Sequence, residues 1–198
     1  MSASVIQFWF EFASTYSYLS AMRLEAATSA AGVVIEWHPF LLGPIFRAQG
    51  WNDSPFNIYP AKGRYMWRDM ERLCQRYGLP LRRPSQFPRN GLLAARLATL
   101  AAGEPWVGDF VRAIYTANFA QDLDIGSPEV VSAILTAMGK PAAEILAAAQ
   151  QDDNKTQLRL QTEEAQALGI FGAPSFIANG ELFWGDDRLE QALEAAKQ

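Results

Sequence analysis

Apolar residues form short runs at the two ends of the chain, whereas in the middle they recur at helical spacing. Near the start, Val5 to Phe12 (VIQFWFEF) is a mostly apolar and aromatic run, which is typical of a buried strand. A turn with the sequence ASTY follows, and SYLSAMRL then begins a helix that ends at Gly32. Val33 to Phe40 predicts a second strand. Residues 5–40 are therefore predicted to form a βαβ unit with parallel strands.

The middle of the chain is predicted to consist of a loop followed by helices. Leu41 to Tyr59 has no consistent hydrophobic period and contains several glycine and proline steps, so we expect a long irregular loop. Pro60 to Gly78 predicts a helix, because proline favours the first helical position and glycine the end. Further helices are expected at roughly 89–102, 105–120, 128–138, 141–150 and 153–168.

Strand character returns near the carboxyl end. Ile170 to Ile177 (IFGAPSFI) is a strand candidate, and Asn179-Gly180 is a strong hairpin signal that predicts a returning strand at Glu181 to Trp184. A proline inside a strand marks an edge or a special backbone feature, and we expect the Ala173-Pro174 bond to be cis.

A last helix is expected to begin at Asp186. An aspartate is a good N-cap residue, and Asp187 with Glu190 three positions later resembles a capping box.

This order of elements predicts an α/β protein with a thioredoxin-like fold (βαβ…ββα) and a large all-helical insertion. Residues 1–40 and 151–198 would form the thioredoxin-like domain, and residues 41–150 the loop and the inserted helical domain, which would cover the site. In such a fold Ser14 and Ala173-Pro174 are expected to meet in space. A helical bundle decorated with a small sheet is the alternative, and it explains the two strand-rich ends less well.

Composition and charge narrow the class of protein. The 198 residues are 49% hydrophobic, with 17 basic and 21 acidic side chains spread along the chain. No basic stripe suggests nucleic acid or an anionic membrane as a partner. No apolar run approaches membrane-spanning length, and Met1-Ser-Ala-Ser has no leader character. We therefore expect a soluble cytoplasmic protein.

The chain has one cysteine, Cys74, and one histidine, His38. This count excludes a disulfide framework and a dithiol redox centre within one chain, and it argues against zinc, so no metal is expected. Cys74 lies on the apolar face of the helix predicted at 60–78. It is therefore expected to be a buried, inert thiol.

The turn between the first strand and the first helix is the candidate site of chemistry. The first N–H groups of a helix are unpaired and lie at its positive end, where they can hold an anion. Ser14 stands at this point and could donate its hydroxyl to a thiolate, an alkoxide or a carboxylate. The alternative, and the commoner role, is that Ser14 or Thr15 is simply the N-cap.

Five segments, in order along the chain, resemble the 2-hydroxychromene-2-carboxylate isomerases. That family belongs, with the kappa-class glutathione transferases, to the thioredoxin-fold group that includes the bacterial disulfide oxidoreductases. The segment FEFASTYSYL resembles the family's opening D-F-x-S-P-Y-S-Y-L, with Thr15 in place of the usual proline and Glu11 in place of the usual aspartate. The other matching segments are Trp37 to Gly43, Pro60 to Met66, Phe171 to Pro174 and Phe183 to Leu189.

The resemblance implies that glutathione is the cofactor and that Ser14 is the catalytic residue. Ser14 would donate a hydrogen bond to the glutathione sulfur and, with the helix N-terminus, lower the pKa of the thiol. The backbone of Ala173 would pair with the cysteinyl unit. The γ-glutamyl end would be held by Trp184, Gly185, Asp186 and Asp187.

The resemblance also names candidates for binding a second substrate. Lys62 and Asn57 are candidates for binding the glycyl carboxylate or an acidic aromatic substrate. Aromatic residues of the loop and the helical block would line the acceptor pocket, namely Phe46, Phe87 and Trp67, of which Trp67 is equally well explained as core.

The implied reaction is a glutathione-dependent cis–trans isomerisation coupled to ring opening. The thiolate adds to a 2-hydroxychromene-2-carboxylate, rotation occurs, and elimination releases trans-o-hydroxybenzylidenepyruvate. The expected partners are a small aromatic carboxylate and a second copy of the chain in a homodimer.

Three alternatives come from other functional classes. A kappa-class-like transferase would release a conjugate instead, and a non-catalytic member would only bind a peptide thiol. A disulfide oxidoreductase is disfavoured, because Ser14-Thr15-Tyr16-Ser17 stands where a C-x-x-C pair is needed.

Overall fold

A mixed sheet of four strands forms the centre of the fold in the computed structural model, which describes residues 4–198. The strands are β1 (Val5–Phe10), β2 (Val34–Pro39), β3 (Ser175–Ala178) and β4 (Glu181–Trp184), in the spatial order β2-β1-β3-β4. β2 runs parallel to β1, and β3 and β4 form an antiparallel hairpin beside it. The predicted βαβ unit and hairpin are confirmed. The prediction that the chain has no leader segment rests partly on residues 1–3, which lie outside the described range.

Helices cover the sheet and form the insertion. They are α1 (Thr15–Ala31), α2 (Leu42–Ala48), α3 (Pro55–Ile58), α4 (Pro60–Tyr77), α5 (Leu92–Leu100), α6 (Val107–Phe119), α7 (Pro128–Ala137), α8 (Ala142–Ala149), α9 (Asp152–Ala167) and α10 (Leu189–Ala195). Within residues 4–198, no helix is long and apolar enough to cross a membrane. The predicted α/β fold of the thioredoxin-like type with a helical insertion is confirmed.

The prediction of an irregular loop at 41–59 is wrong, because this segment contains α2 and α3. Helix α2 is anchored by the buried side chain of Ile45. Helix α3 is a single turn that begins at Pro55, and the Ser54 hydroxyl accepts a hydrogen bond from the Phe56 N–H at 3.3 Å. A serine cap followed by proline is typical of a helix start. A helix of one turn is too short to show a hydrophobic period, so the sequence pattern did not predict it.

The strand predicted at 170–177 begins only at Ser175. Ile170 to Pro174 is irregular and bends before β3, and its Ala173-Pro174 bond is cis, as predicted. A second cis bond, Phe87-Pro88, lies in the irregular segment between α4 and α5 and was not predicted. Both cis bonds lie at the edge of the same cavity, described below.

One hydrophobic core joins the sheet to the insertion. Phe8 and Phe10 of β1 stack at a centroid distance of 5.0 Å, and Phe8 stacks on Phe176 at 5.4 Å. Phe10 also contacts Tyr115 of the inserted helix α6, with centroids 6.4 Å apart. Each such aromatic pair contributes about 0.5–1.5 kcal/mol beyond the area it buries. This packing fixes α6 against β1.

Helix α6 also holds the turn that follows β1. The Tyr115 hydroxyl donates to the Glu11 carbonyl at 2.9 Å, and the Asn118 side-chain amide donates to the Phe12 carbonyl at 3.1 Å. The buried guanidinium of Arg89 donates in turn to the Asn118 side chain at 3.2 Å. Two successive carbonyls of the turn are therefore bonded to the insertion, which positions the residues immediately before Ser14.

Candidate functional site

A cavity of about 1590 Å³ lies between the thioredoxin-like core and the insertion. It is bounded by the turn after β1, the segment from α2 to α3, residues 87–92, and the loops at either end of the β3–β4 hairpin. Most of the predicted site residues line it, namely Ser14, Phe46, Lys62, Phe87, Ala173, Trp184, Gly185, Asp186 and Asp187.

Ser14 is both a helix cap and a contact across the cavity wall. Its backbone is extended, with φ −76° and ψ 118°, and its hydroxyl oxygen accepts a hydrogen bond from the Ser17 N–H at 3.2 Å. The same hydroxyl donates to the Ala173 carbonyl at 2.9 Å. The two sequence interpretations of Ser14 are thus compatible, because the oxygen serves the cap while the proton points across the cavity wall.

The loop around Ala173 is held on both sides, which leaves its carbonyl facing α1. The Ser175 hydroxyl donates to the Gly172 carbonyl at 2.9 Å, and the Gly185 N–H donates to the Pro174 carbonyl at 3.0 Å. Ser14 and the cis-proline turn therefore meet, as predicted from the fold type, although they lie 159 positions apart.

Asp186 does not cap the last helix, which corrects the sequence prediction. Its carboxylate is buried and accepts a hydrogen bond from Ser20 at 2.9 Å and from Arg23 at 3.0 Å. Burial raises the pKa of Asp186, while the Arg23 guanidinium opposes that rise. The carboxylate points to α1 because α1 offers a cation and a hydroxyl, so it is part of an internal ion pair.

The predicted capping box is also absent from the described structure. Glu190 pairs with Arg23, and the Asp187 side chain is 75% exposed and contacts Arg188 at 3.1 Å. Gly185 has φ +113°, a backbone conformation that a residue with a side chain rarely adopts, and a Cβ there would also displace the Asp187 carboxylate, which would lie 2.6 Å away. Asp187 is thus the solvent-facing carboxylate at this end of the cavity.

Glu11 lines the cavity and was not predicted as a site residue. One carboxylate oxygen, Oε2, accepts the Ala13 N–H at 2.9 Å. Burial raises the pKa of Glu11 to about 7, and the Ala13 hydrogen bond opposes that rise. The signal that could have identified it is a charged residue inside an otherwise apolar run, directly before the turn.

Aromatic and cationic groups of the chain from α2 to α4 also line the cavity. Phe46 packs on Trp51 with centroids 5.6 Å apart, and both face the cavity. The Lys62 ammonium lies 4.7 Å from the Tyr59 ring centroid, and both Lys62 and Arg47 line the cavity. Arg47 and Trp51 are not among the predicted site residues, although their neighbour Phe46 is.

Two predicted residues do not line the cavity. Trp67 is 8% exposed and packs edge-on against Phe87 with centroids 5.1 Å apart, which is a core position. Asn57 donates to the Phe87 carbonyl at 3.2 Å and to the carboxylate of Asp53. Both therefore support Phe87, which itself faces the cavity.

Cys74, the one cysteine of the chain, does not line the cavity. Cys74 is buried, as predicted, and burial raises the pKa of its thiol to about 11, which favours the protonated form at neutral pH. Within residues 4–198 no group of three or more His, Cys, Asp or Glu side chains is arranged to hold a metal ion.

Comparison with known proteins supports the thioredoxin-like fold of the chain. The family model for the DSBA-like thioredoxin domain matches residues 5–197. The chain is 29% identical over 187 residues to the 2-hydroxychromene-2-carboxylate isomerase of Sphingobium xenophagum, covering 93% of this chain and 94% of the relative. It is 26% identical over 208 residues to glutathione S-transferase kappa 2 of Caenorhabditis elegans, covering 96% and 90%.

A solved structure of a 2-hydroxychromene-2-carboxylate isomerase superposes with a TM-score of 0.88 at 23% identity, covering 98% of this chain and 94% of that chain. At this level of identity the superposition shows a shared fold.

The pKa of Glu11 predicts how stability changes with pH. The folded protein keeps the Glu11 proton up to about pH 7, whereas an ordinary glutamate releases it at about 4.5. Between these values the folded state binds more protons than the unfolded state, so the free energy of unfolding falls as pH rises. We expect a loss on the order of 1–3 kcal/mol from this group.

Urea denaturation of the wild type and of Glu11→Gln, at about pH 4.5 and about pH 8, measures this effect. Other titrating groups cancel in the difference between the two proteins. The variant should gain stability relative to the wild type at the higher pH. A difference that is constant with pH would show that Glu11 titrates normally.

Proposed function

The chain belongs to the DSBA-like thioredoxin domain family, and on that basis we propose that it is a glutathione-dependent isomerase. Its substrate is a 2-hydroxychromene-2-carboxylate or a similar aromatic catabolite, and its product the corresponding trans-o-hydroxybenzylidenepyruvate. The observation that carries the proposal is the Ser14 hydroxyl, which lies at the N-terminus of α1 and faces the cis-proline turn. Because the one cysteine is buried with a raised pKa, a thiol at this position has to come from a ligand.

Ser14 acts on the sulfur of bound glutathione. Its proton turns from the Ala173 carbonyl to the thiolate, while its oxygen continues to cap Ser17. The positive end of the 17-residue helix α1, which has no acidic residue in its first turn, adds to the stabilisation of the anion. The cysteinyl backbone of glutathione takes up the Ala173 carbonyl and N–H as an added strand.

The residues that bind the two ends of glutathione are assigned from the burial and the existing partners of the nearby charged side chains. Asp187 rather than Asp186 binds the γ-glutamyl amino group, because the Asp186 carboxylate is buried against Arg23. Trp184 and the N–H groups of Asp186 and Asp187 lie at the same end, where they hold the γ-glutamyl carboxylate. Lys62 binds the glycyl carboxylate or the carboxylate of the substrate.

The aromatic ring of the substrate lies against Phe46 and Phe87, and Asn57 and Trp67 act by holding Phe87.

In the reaction the hemiketal ring opens to a cis-enone, and the thiolate adds to the benzylic carbon, which moves the double-bond electrons onto the pyruvyl carbonyl as an enolate. The former double bond is then single and rotates. The enolate re-forms the double bond and expels the thiolate, so glutathione is regenerated.

A kappa-class-like transferase that releases a conjugate is the second candidate function. It is favoured by the similarity to the kappa transferase over 96% of this chain. It uses the same Ser14 and glutathione positions and differs only in whether the carbon–sulfur bond breaks again.

The expected location is a reducing compartment such as the cytoplasm, where glutathione is the main thiol. The homodimer stays a prediction.

Product analysis of the wild type and of Ser14→Ala tests the proposed function. With a hydroxychromene carboxylate, the wild type should form the trans product only when glutathione is present and should leave the amount of glutathione unchanged. Ser14→Ala should lower turnover near neutral pH by at least about tenfold, because one hydrogen bond to the anion is lost, and turnover should recover partly as pH rises.

Ser127→Ala is the matched control for this variant. Ser127 caps α7 with nearly the same backbone angles, φ −75° and ψ 124°, and its hydroxyl accepts from the Val130 N–H at 3.3 Å. Both variants should lose about 1 kcal/mol of stability as cap deletions, and only Ser14→Ala should lose turnover. Equal turnover in the two variants would reduce Ser14 to a cap, and accumulation of a stable conjugate would favour the transferase.

A second pair of variants tests the assignment of the γ-glutamyl end. Asp187→Asn should raise the KM for glutathione roughly three- to tenfold with little change in melting temperature, because an exposed charge-assisted hydrogen bond is lost. Asp186→Asn should mainly lower the melting temperature, because it breaks the buried pair with Arg23. The opposite pattern, with the KM effect confined to Asp186→Asn, would reverse the assignment.

A further inference from the structure

Five carboxylates line the cavity within the described chain, and one of them differs from the rest. Four are bonded to a neighbouring side chain, as Asp53 is to Asn57, Asp69 to Tyr16, Asp186 to Arg23 and Asp187 to Arg188. Glu11 accepts only the Ala13 N–H, through Oε2. Among residues 4–198 no donor lies within hydrogen-bond distance of its other oxygen, Oε1.

This carboxylate is held in one place on the same wall as Ser14. The Glu11 carbonyl accepts the Ser14 N–H at 3.0 Å and the Tyr115 hydroxyl at 2.9 Å, so its backbone is fixed from both sides. A Cβ on Gly91 would lie 3.1 Å from Oε1 and 3.0 Å from the Phe12 Cβ. The absence of a side chain at position 91 therefore leaves the space that the carboxylate occupies.

The groups that face Glu11 leave it able to exchange a proton. Tyr115 of α6 is buried, and its pKa is raised well above the usual range, so it stays neutral. Arg89, on the segment before α5, is tied to Asn118 and Asp122. With no ion pair to hold the charged form, burial brings the Glu11 pKa to about 7, where both protonation states are populated at neutral pH.

The proposed reaction requires a proton to move between two oxygens of the substrate. Opening of the hemiketal removes the proton of the 2-hydroxyl group, forms the ketone, breaks the bond from C2 to the ring oxygen and adds a proton to that oxygen as it becomes a phenol. One carboxylate can accept the first proton and return it to the second oxygen, so protons and electrons balance with no other reagent.

We propose that Glu11 is a catalytic residue that carries this proton, separately from Ser14, which acts on the sulfur. The inference rests on the proposed function and divides its two chemical steps between two residues of one turn. Ring opening depends on Glu11, and thiolate addition and elimination depend on Ser14.

The test compares Glu11→Gln with the wild type on two substrates. The amide oxygen of glutamine can still accept the Ala13 N–H, but the group cannot take up a proton. With the hydroxychromene carboxylate, kcat should fall by about a hundredfold, and the rate should lose its dependence on a group of pKa about 7. The KM for glutathione and the pH at which the bound thiol ionises should stay the same.

The second substrate is the open-chain cis-benzylidenepyruvate without the ortho hydroxyl, which has no ring to open. Its isomerisation needs only the thiolate, so Glu11→Gln should match the wild type on it, whereas Ser14→Ala should be slow on both substrates. Glu11→Asp, which keeps a carboxylate, should recover much of the lost kcat. Glu104→Gln, an exposed carboxylate outside the cavity lining, should have no effect.

The possible failures are distinguishable. Equal losses on both substrates in Glu11→Gln would show that Glu11 only shapes the turn, and would overturn the proposal. A full rate on the hydroxychromene carboxylate would overturn it as well. A wild type that is inactive on both substrates would remove the proposed function itself. If glutamine prevents folding, Glu11→Asp decides, because its loss should be confined to the ring-opening substrate.

Discussion

The hydrogen bond from Ser14 to the Ala173 carbonyl joins the two strand-rich ends of the chain, and the geometry of the cavity depends on it. It requires a turn of fixed shape after β1 and a loop of fixed shape before β3. The inserted helix α6 provides the first through its bonds to the Glu11 and Phe12 carbonyls. The hairpin side provides the second through the bonds of Ser175 and Gly185. The insertion is thus part of the scaffold of the site, as well as one wall of it.

Burial acts differently on two carboxylates at this site. Asp186 is buried beside Arg23 and Ser20, and it serves as an internal tie between α1 and the chain before α10. Glu11 is only partly exposed, has no ion-pair partner among the described residues and retains a proton up to about neutral pH. The cost of desolvation is thus offset at Asp186 by Arg23 and Ser20, whereas at Glu11 it is relieved by protonation.

The strands and the main helices could be predicted from the sequence, because hydrophobic period and turn residues are local signals. The meeting of Ser14 with Ala173-Pro174 could be predicted from the fold type that the order of these elements indicates. The roles of Asp186 and Glu11 could not, since each depends on what lies opposite in space. Asp186 has good N-cap chemistry, yet Arg23 on another helix takes its carboxylate. The short helices α2 and α3 were missed because one or two turns carry too few residues to show a period.

The central claim is that the sulfur of glutathione binds at the N-terminus of α1, between Ser14 and Ala173. A crystal structure of the complex with glutathione measures this directly. We expect the sulfur within about 3.5 Å of the Ser14 Oγ, the bond from Ser14 to the Ala173 carbonyl broken, and the cysteinyl backbone paired with Ala173. A tripeptide bound elsewhere in the cavity, with Ser14 still donating to Ala173, would contradict the account.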